Sequence, residues 1–267
     1  WKVKPLDLRD ESEKLVIHSA EVLATLYNTN FDHLLTVDRA GFVAIWAVGT
    51  GVQIFKFICE SVQEFFGVPD VTAASFDLSE RRLVVGWNQG SIQLYNFSNG
   101  TLLHNLLTET SSPVVSVTQI EYSRGNDFHR HFVAALEDGV ILQWPNKMKQ
   151  RDAPPVRKIE VPNWMGTEFV DVPITCIAFG KPHTLVAGRK DGKVLEWDMQ
   201  TGFLMKNEHG PIVMQCTETN TIAVQAARFL HKMESICLVA DGEGNVHFID
   251  SDDGHKLGSI RGKKRNV

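Results

Sequence analysis

The stretch KDGKVLEWDMQTG, Lys190 to Gly202, decides how the chain is read. Its Asp-Gly pair and its Trp-Asp pair mark either a reactive loop, which needs to occur once, or a structural unit that cannot bury its own apolar face and must therefore recur. The unit recurs. Gly41, Gly90, Gly139, Gly192 and Gly244 are each followed five residues later by a large apolar residue: Trp46, Tyr95, Trp144, Trp197 and Ile249. The spacings between successive glycines are 49, 49, 53 and 52 residues, too long for ankyrin, tetratricopeptide or leucine-rich repeats.

Each glycine is preceded by a short apolar run (HLLTV, RLVVG, FVAAL, TLVAG, CLVAD) and followed by an alternating one (FVAIW, SIQLY, VILQW, KVLEW, NVHFI). Alternation of that kind belongs to strands of period two. Ten residues past four of the five anchors stands another glycine, Gly51, Gly100, Gly202 or Gly254, marking a second turn. A further apolar run opens every period: EVLATLY, TAASFDL, VVSVTQI, ITCIAFG and AVQAARF. Four short antiparallel strands per period make one blade of a β-propeller, in which sheets pack around an axis and only short edges stay exposed. The fold class is therefore all-β. The expected blades are 19–60, 70–108, 113–162, 173–208 and 221–263, followed by a tail or linker at 264–267. The Asp-Gly pairs are expected to sit in two-residue hairpin turns with positive φ at both centres, which makes Asp191 a turn residue and not a catalytic carboxylate.

At VAGRKDGKVLEWDMQTG, HLLTVDRAGFVAIWAVGTG and LVADGEGNVHFIDSDDG the repeats resemble the Trp-Asp (WD) repeat proteins, and the similarity covers nearly the whole chain. That family usually closes its ring with seven blades. Residue 1 is Trp, and EKLVIH, which ends at His18, reads as the outer strand of a preceding blade spanning 1–18, so a segment of a longer polypeptide is expected. A smaller closed ring is the alternative. The resemblance also implies a hydrogen-bonded tetrad in each blade: a His before the first strand, a Ser or Thr in the second, the Asp before the anchor glycine, and the Trp of the third strand. His18, Thr36 and Trp46 match in the first blade, but Ala40 stands at the Asp position. Asp138 with Trp144, and Asp191 with Trp197, match elsewhere, where Ala134 and Ala187 replace the hydroxyl residue. No blade is thus expected to carry all four, and blade packing is expected to rest on apolar burial at about 25 cal/mol per Å².

The chain has 43% hydrophobic and 22% charged residues and a net charge of −5, which argues against a general nucleic-acid binder. No apolar run approaches the roughly 18 residues that span a bilayer, and the first residues are not a signal peptide. Cys59, Cys176, Cys216 and Cys237 form no CxxC pair and read as reduced core thiols of an intracellular, cytoplasmic protein. DFHRH places His129 and His131 two apart without a third ligand, so no metal is expected there. AGRKDGK lacks the spacing of a phosphate loop, and GxSxG does not occur. No cofactor is expected. The basic run Arg261 to Arg265 reads as a solvated linker.

Two segments interrupt the repeat. Cys59 to Asp70 carries Phe65 and Phe66, and Pro145 to Pro173 is a proline-rich insertion carrying Trp164 and Met165. Long loops on a rigid scaffold are where binding residues concentrate. The four large side chains either contact partners or cap apolar space between blades. Two classes remain: a scaffold binding several protein subunits, or a propeller enzyme with its site at the channel. The residues show no convergent chemistry, which favours the scaffold. SFDLSERRLVVGWNQGSIQLYNFSNGTLL, Ser75 to Leu103, is similar to long WD-repeat proteins of motile cilia and flagella, and implies an axonemal, microtubule-associated scaffold, with a general cytoplasmic WD-repeat adaptor as the alternative. The residue before the turn Asp often contacts partners in that family, which maps onto Glu137 and Lys190.

Overall fold

The computed structural model describes residues 17–60, 68–124, 126–161, 172–180, 183–208, 210–216, 222–230 and 233–262. Phe65, Phe66, Trp164, Met165, most of the preceding-blade segment 1–18 and residues 263–267 lie outside the described residues.

Five antiparallel sheets follow one another along the chain. The first is β1 (Val22–Asn28), β2 (His33–Asp38), β3 (Phe42–Ala47) and β4 (Gln53–Ile58), paired in that order. The second is β5 (Val71–Phe76), β6 (Arg82–Trp87), β7 (Ile92–Asn96) and β8 (Leu102–Leu106). The third is β9 (Val114–Arg124), β10 (Asp127–Leu136), β11 (Ile141–Pro145) and an outer strand β13 (Arg157–Ile159). Between β11 and β13 the chain crosses to the second sheet, where β12 (Asp152–Ala153) lies parallel to β8.

The fourth sheet is β14 (Ile174–Gly180), β15 (Thr184–Arg189), β16 (Lys193–Asp198) and a split outer edge. Its halves, β17 (Phe203–Leu204) and β20 (Val213–Gln215), pair with opposite ends of β16. A small hairpin, β18 (Lys206–Asn207) and β19 (Gly210–Pro211), interrupts them. The fifth sheet is β21 (Val224–Leu230), β22 (Met233–Asp241), β23 (Val246–Asp250) and β24 (Lys256–Ile260). The second and fourth sheets thus hold five strands, not four: β12 caps an edge, and a half-length strand cannot cover all of β16.

Period two explains why the sheets stack. Along β6, Leu83 and Val85 point toward the first sheet, where they meet Leu35, Val37 and Val43, while Val84 points the other way, toward Phe132 and Ala134. Each inner sheet is buried on both faces, so its strands read as apolar runs. The same alternation sends Ile120, Val133 and Ile141 onto Leu185, Leu195 and Trp197, and Val186 and Val194 onto Val224, Val239 and Ile249. The core therefore lies between blades. Glycine permits the closest approach: a Cβ on Gly188 would stand 2.4 Å from Val224 Cγ1. Among the described residues no comparable packing joins the fifth blade to the first.

The hairpin turns differ from the sequence expectation. The five anchor glycines have φ between 78° and 88°, but the residues before them are not among those with positive φ. Each anchor donates its N–H to the carbonyl three residues back, as Gly192 does to Arg189 at 3.2 Å. This is a type I turn with a left-handed glycine at its end, which fits strand twist with one positive-φ residue. Asp191 instead accepts the Lys193 N–H at 3.2 Å, closing the turn from its side chain.

Candidate partner-binding surface

The turns place two rims on the blades. One rim holds the anchor-glycine turns. There Glu137 and Lys190 are exposed, and their N–H groups bond the Pro113 and Pro173 carbonyls at 2.9 and 3.0 Å, tying each turn to the segment that enters its blade. Arg39 does the same with the Glu21 carbonyl at 3.0 Å, and its guanidinium pairs with the Glu21 carboxylate at 2.9 Å. The opposite rim carries the second turns. Asp198 of the Trp-Asp pair accepts the Gln200 N–H at 2.7 Å, and Asn96 and Asp250 play the same part for Ser98 and Asp252 at 2.9 Å. The Asp of the pair is a turn cap.

The first blade overturns the expectation that no blade assembles four polar partners. His18 Nε2 lies 2.7 Å from the Thr36 hydroxyl, which accepts the Trp46 indole N–H at 3.1 Å, and His18 Nδ1 lies 3.0 Å from the Asp38 carboxylate. Asp38 replaces the turn position taken by Ala40, because residues two apart on a strand share a face and Asp38 follows Thr36 by two. Its other oxygen accepts the Phe42 N–H at 2.9 Å, and Asp38 is fully buried. The remaining blades use other chemistry. Gln93 accepts from both Trp87 and Tyr95 at 2.9 Å. Asp241 meets His247 and Asn245, each at 2.9 Å. Burial pushes the Asp241 carboxyl up, but these hydrogen bonds outweigh it and hold it down at about 2. In the fourth blade Asp191 pairs with buried Arg189 at 3.3 Å, a partner absent from the sequence reading. Trp197 is buried, and its indole N–H meets no acceptor among the described residues; Trp144 instead donates to the Ala153 carbonyl of β12 at 3.1 Å.

The third blade departs most from its neighbours. β9 and β10 run to 11 and 10 residues, so their hairpin overhangs β11, which ends at Pro145 opposite His131. Beyond that point the chain is pulled away. Arg82 and Gln119 both donate to the Asn146 side chain, the latter at 2.9 Å, and Arg82 is held by Asp77 at 2.8 Å while its guanidinium lies 4.9 Å over the Phe132 ring. The connection then joins β8, where Asn105 donates to Asp152 at 2.7 Å. Two short pieces of the insertion predicted as a loop, Asp152–Ala153 and Arg157–Ile159, are thus paired as strands. The first caps an edge strand that would otherwise offer unpaired backbone.

An open cleft of about 600 Å³ remains beside the overhang, lined by Phe128, Arg130, Pro145 and Lys147 among others. Phe128 is 77% exposed. On the other face His129, His131 and Tyr122 stack at 5.5 to 6.2 Å. Burial, and then the charges of His129 and Arg157, depress the His131 imidazole to about 4. Gln200 donates to the Ser123 carbonyl and Arg157 to that of Met199, bracing the hairpin against the fourth blade. The signal for this feature was present in the sequence, since the third blade has eleven residues, EYSRGNDFHRH, between its first apolar run and the next. Burial pushes the Cys59, Cys216 and Cys237 thiols up to about 12, so they stay protonated at neutral pH.

No family model matches the chain. Among curated proteins it is similar to the WD repeat-containing protein on Y chromosome of Drosophila grimshawi, 22% identical over 69% of this chain, and to those of Drosophila willistoni and Drosophila ananassae, each 23% identical over 69%. The matched region spans only 15 to 16% of the length of those relatives. The recurring unit of about 50 residues and the stacked four-stranded antiparallel blades have the form of WD-repeat β-propeller blades, and the chain is similar to these WD repeat-containing proteins.

Proposed function

We propose that the chain is a non-enzymatic scaffold that joins protein subunits of a large assembly, the axoneme of a cilium or flagellum. The observation that carries the scaffold reading is the division of labour in the blades. Apolar side chains are spent between sheets, while the turn rims expose charged residues such as Glu137 and Lys190 and the third blade extends a hairpin with an exposed aromatic tip. Rigid elements that present varied loops suit recognition of several partners. Opposite charges at Glu137 and Lys190 favour different partners, or different parts of one, and set orientation more than affinity. The axonemal assignment is supported by the likeness of Ser75 to Leu103 to ciliary WD-repeat proteins. A tagged full-length protein expressed in ciliated cells is expected to co-sediment with salt-washed axonemes. Recovery only in the soluble cytosol would overturn the axonemal assignment in favour of a general WD-repeat adaptor.

A further inference from the structure

We propose that the overhanging end of β10 is a docking edge on which an acidic segment of a partner protein adds as an extended strand. The proposal rests on the scaffold reading and names the chemistry of one partner. Asn146 donates its N–H to the Arg130 carbonyl at 3.0 Å, the last rung between β10 and the chain leaving β11. Backbone groups on a strand alternate between its two neighbours, so the next pair facing the same way belongs to Phe128. Among the described residues nothing pairs with them. The chain that would have covered them is held aside at Asn146 by Arg82 and Gln119, and then committed to β8 through β12. The edge is therefore kept open by specific contacts while its neighbour along the blade rim is capped.

The cleft beside this edge has room for an extended backbone and its side chains, at about 600 Å³. The charge it presents is positive: Arg130 on the strand and Glu121 pair with each other, which leaves the exposed Lys147 ammonium on the cleft lining. Main-chain hydrogen bonds supply affinity in strand addition, and alternate side chains supply selectivity. An acidic residue meeting Lys147, flanked by an apolar residue against the Phe128 ring, fits both.

A fluorescein-labelled ten-residue peptide of alternating Glu and Val is the probe, with alternating Lys and Val as its control, read by fluorescence anisotropy on the full chain. The Glu-Val peptide is expected to bind and the Lys-Val peptide to bind at least tenfold more weakly. Phe128→Pro, which removes the edge N–H, is expected to weaken binding tenfold or more with unchanged thermal unfolding, and Lys147→Glu to reverse the peptide preference without touching the backbone. Absence of Glu-Val binding, equal binding of both peptides, or full binding by a folded Phe128→Pro protein would overturn the proposal. So would concentration-dependent dimerisation abolished by Phe128→Pro, which assigns the edge to a second copy. Axonemal co-sedimentation is scored separately, so retention without peptide binding removes the docking edge alone, and peptide binding without retention removes the axonemal assignment alone.

Discussion

Replacing Asp38 by Ala tests whether the first blade is held by a polar network or by apolar burial alone. Asp38 is fully buried and accepts from His18 Nδ1 at 3.0 Å and from the Phe42 N–H at 2.9 Å. Truncation leaves both donors without a partner and frees His18 from the orientation that lets its other nitrogen meet Thr36. An abandoned buried donor costs about 1 to 3 kcal/mol. Both donors are only partly buried, so the expected total is about 2 to 4 kcal/mol. Ala40→Ser, at the turn position where the Asp would ordinarily stand, touches none of these groups and is expected to stay within about 0.5 kcal/mol. Urea denaturation followed by tryptophan fluorescence reads both, and an unchanged slope shows that the midpoint shift is a stability change. A loss below about 0.5 kcal/mol for Asp38→Ala, or a larger loss for Ala40→Ser, would refute the network.

Trp197→Ala is expected to cost about 3 to 5 kcal/mol by the same assay, since a fully buried aromatic leaves a cavity. Asp191→Ala is expected to cost about 2 to 3 kcal/mol, more than a turn residue alone, because it also strips a partner from the buried Arg189 guanidinium; a loss under 1 kcal/mol would show that the pair at 3.3 Å contributes little. Gly188→Ala is expected to cost about 1 to 3 kcal/mol, because the new Cβ would fall 2.4 Å from Val224 on the next blade. The Asp241 carboxyl is lowered to about 2 in the folded chain, below its unfolded value, so its contribution of about 2 kcal/mol is present above pH 4 and is lost as pH falls from about 4 to about 2. His131 is depressed to about 4, so the unfolded chain binds the extra proton between about pH 6.5 and 4, and stability falls on acidification through that window by up to about 1.4 kcal/mol per pH unit. His131→Gln is expected to flatten that slope in denaturation measured from pH 7 to 4.

What the sequence made legible was whatever repeats. Five glycines at near-constant spacing locate the turns, and the short apolar or alternating runs between them, such as TLVAG and KVLEW, locate the strands. The polar network was hidden because it was sought at the turn position, while Asp38 reaches His18 from the strand, a placement visible in the two-residue spacing from Thr36. The turn type was misjudged because Asp-Gly suits both a two-residue turn and a type I turn with a final glycine. The pairing of Asp152 and Ala153 with Asn105 and Leu106 was not legible at all. Two residues of parallel strand carry no period, and their position is set by contacts of Arg82 and Gln119 with Asn146, far apart in the chain. The cleft at Phe128 follows from that same diversion.

The most direct test of the blade arrangement is a disulfide between Asn105→Cys on β8 and Asp152→Cys on the crossing segment. These side chains bond at 2.7 Å across the two blades, and the native thiols of Cys59, Cys216 and Cys237 are buried and protonated, so they stay out of the reaction. Mild oxidation of the native double variant is expected to give near-complete cross-linking that 8 M urea applied beforehand abolishes. Native protein whose engineered thiols remain free after oxidation would contradict the crossing from third blade to second, and with it the side-by-side order of the blades.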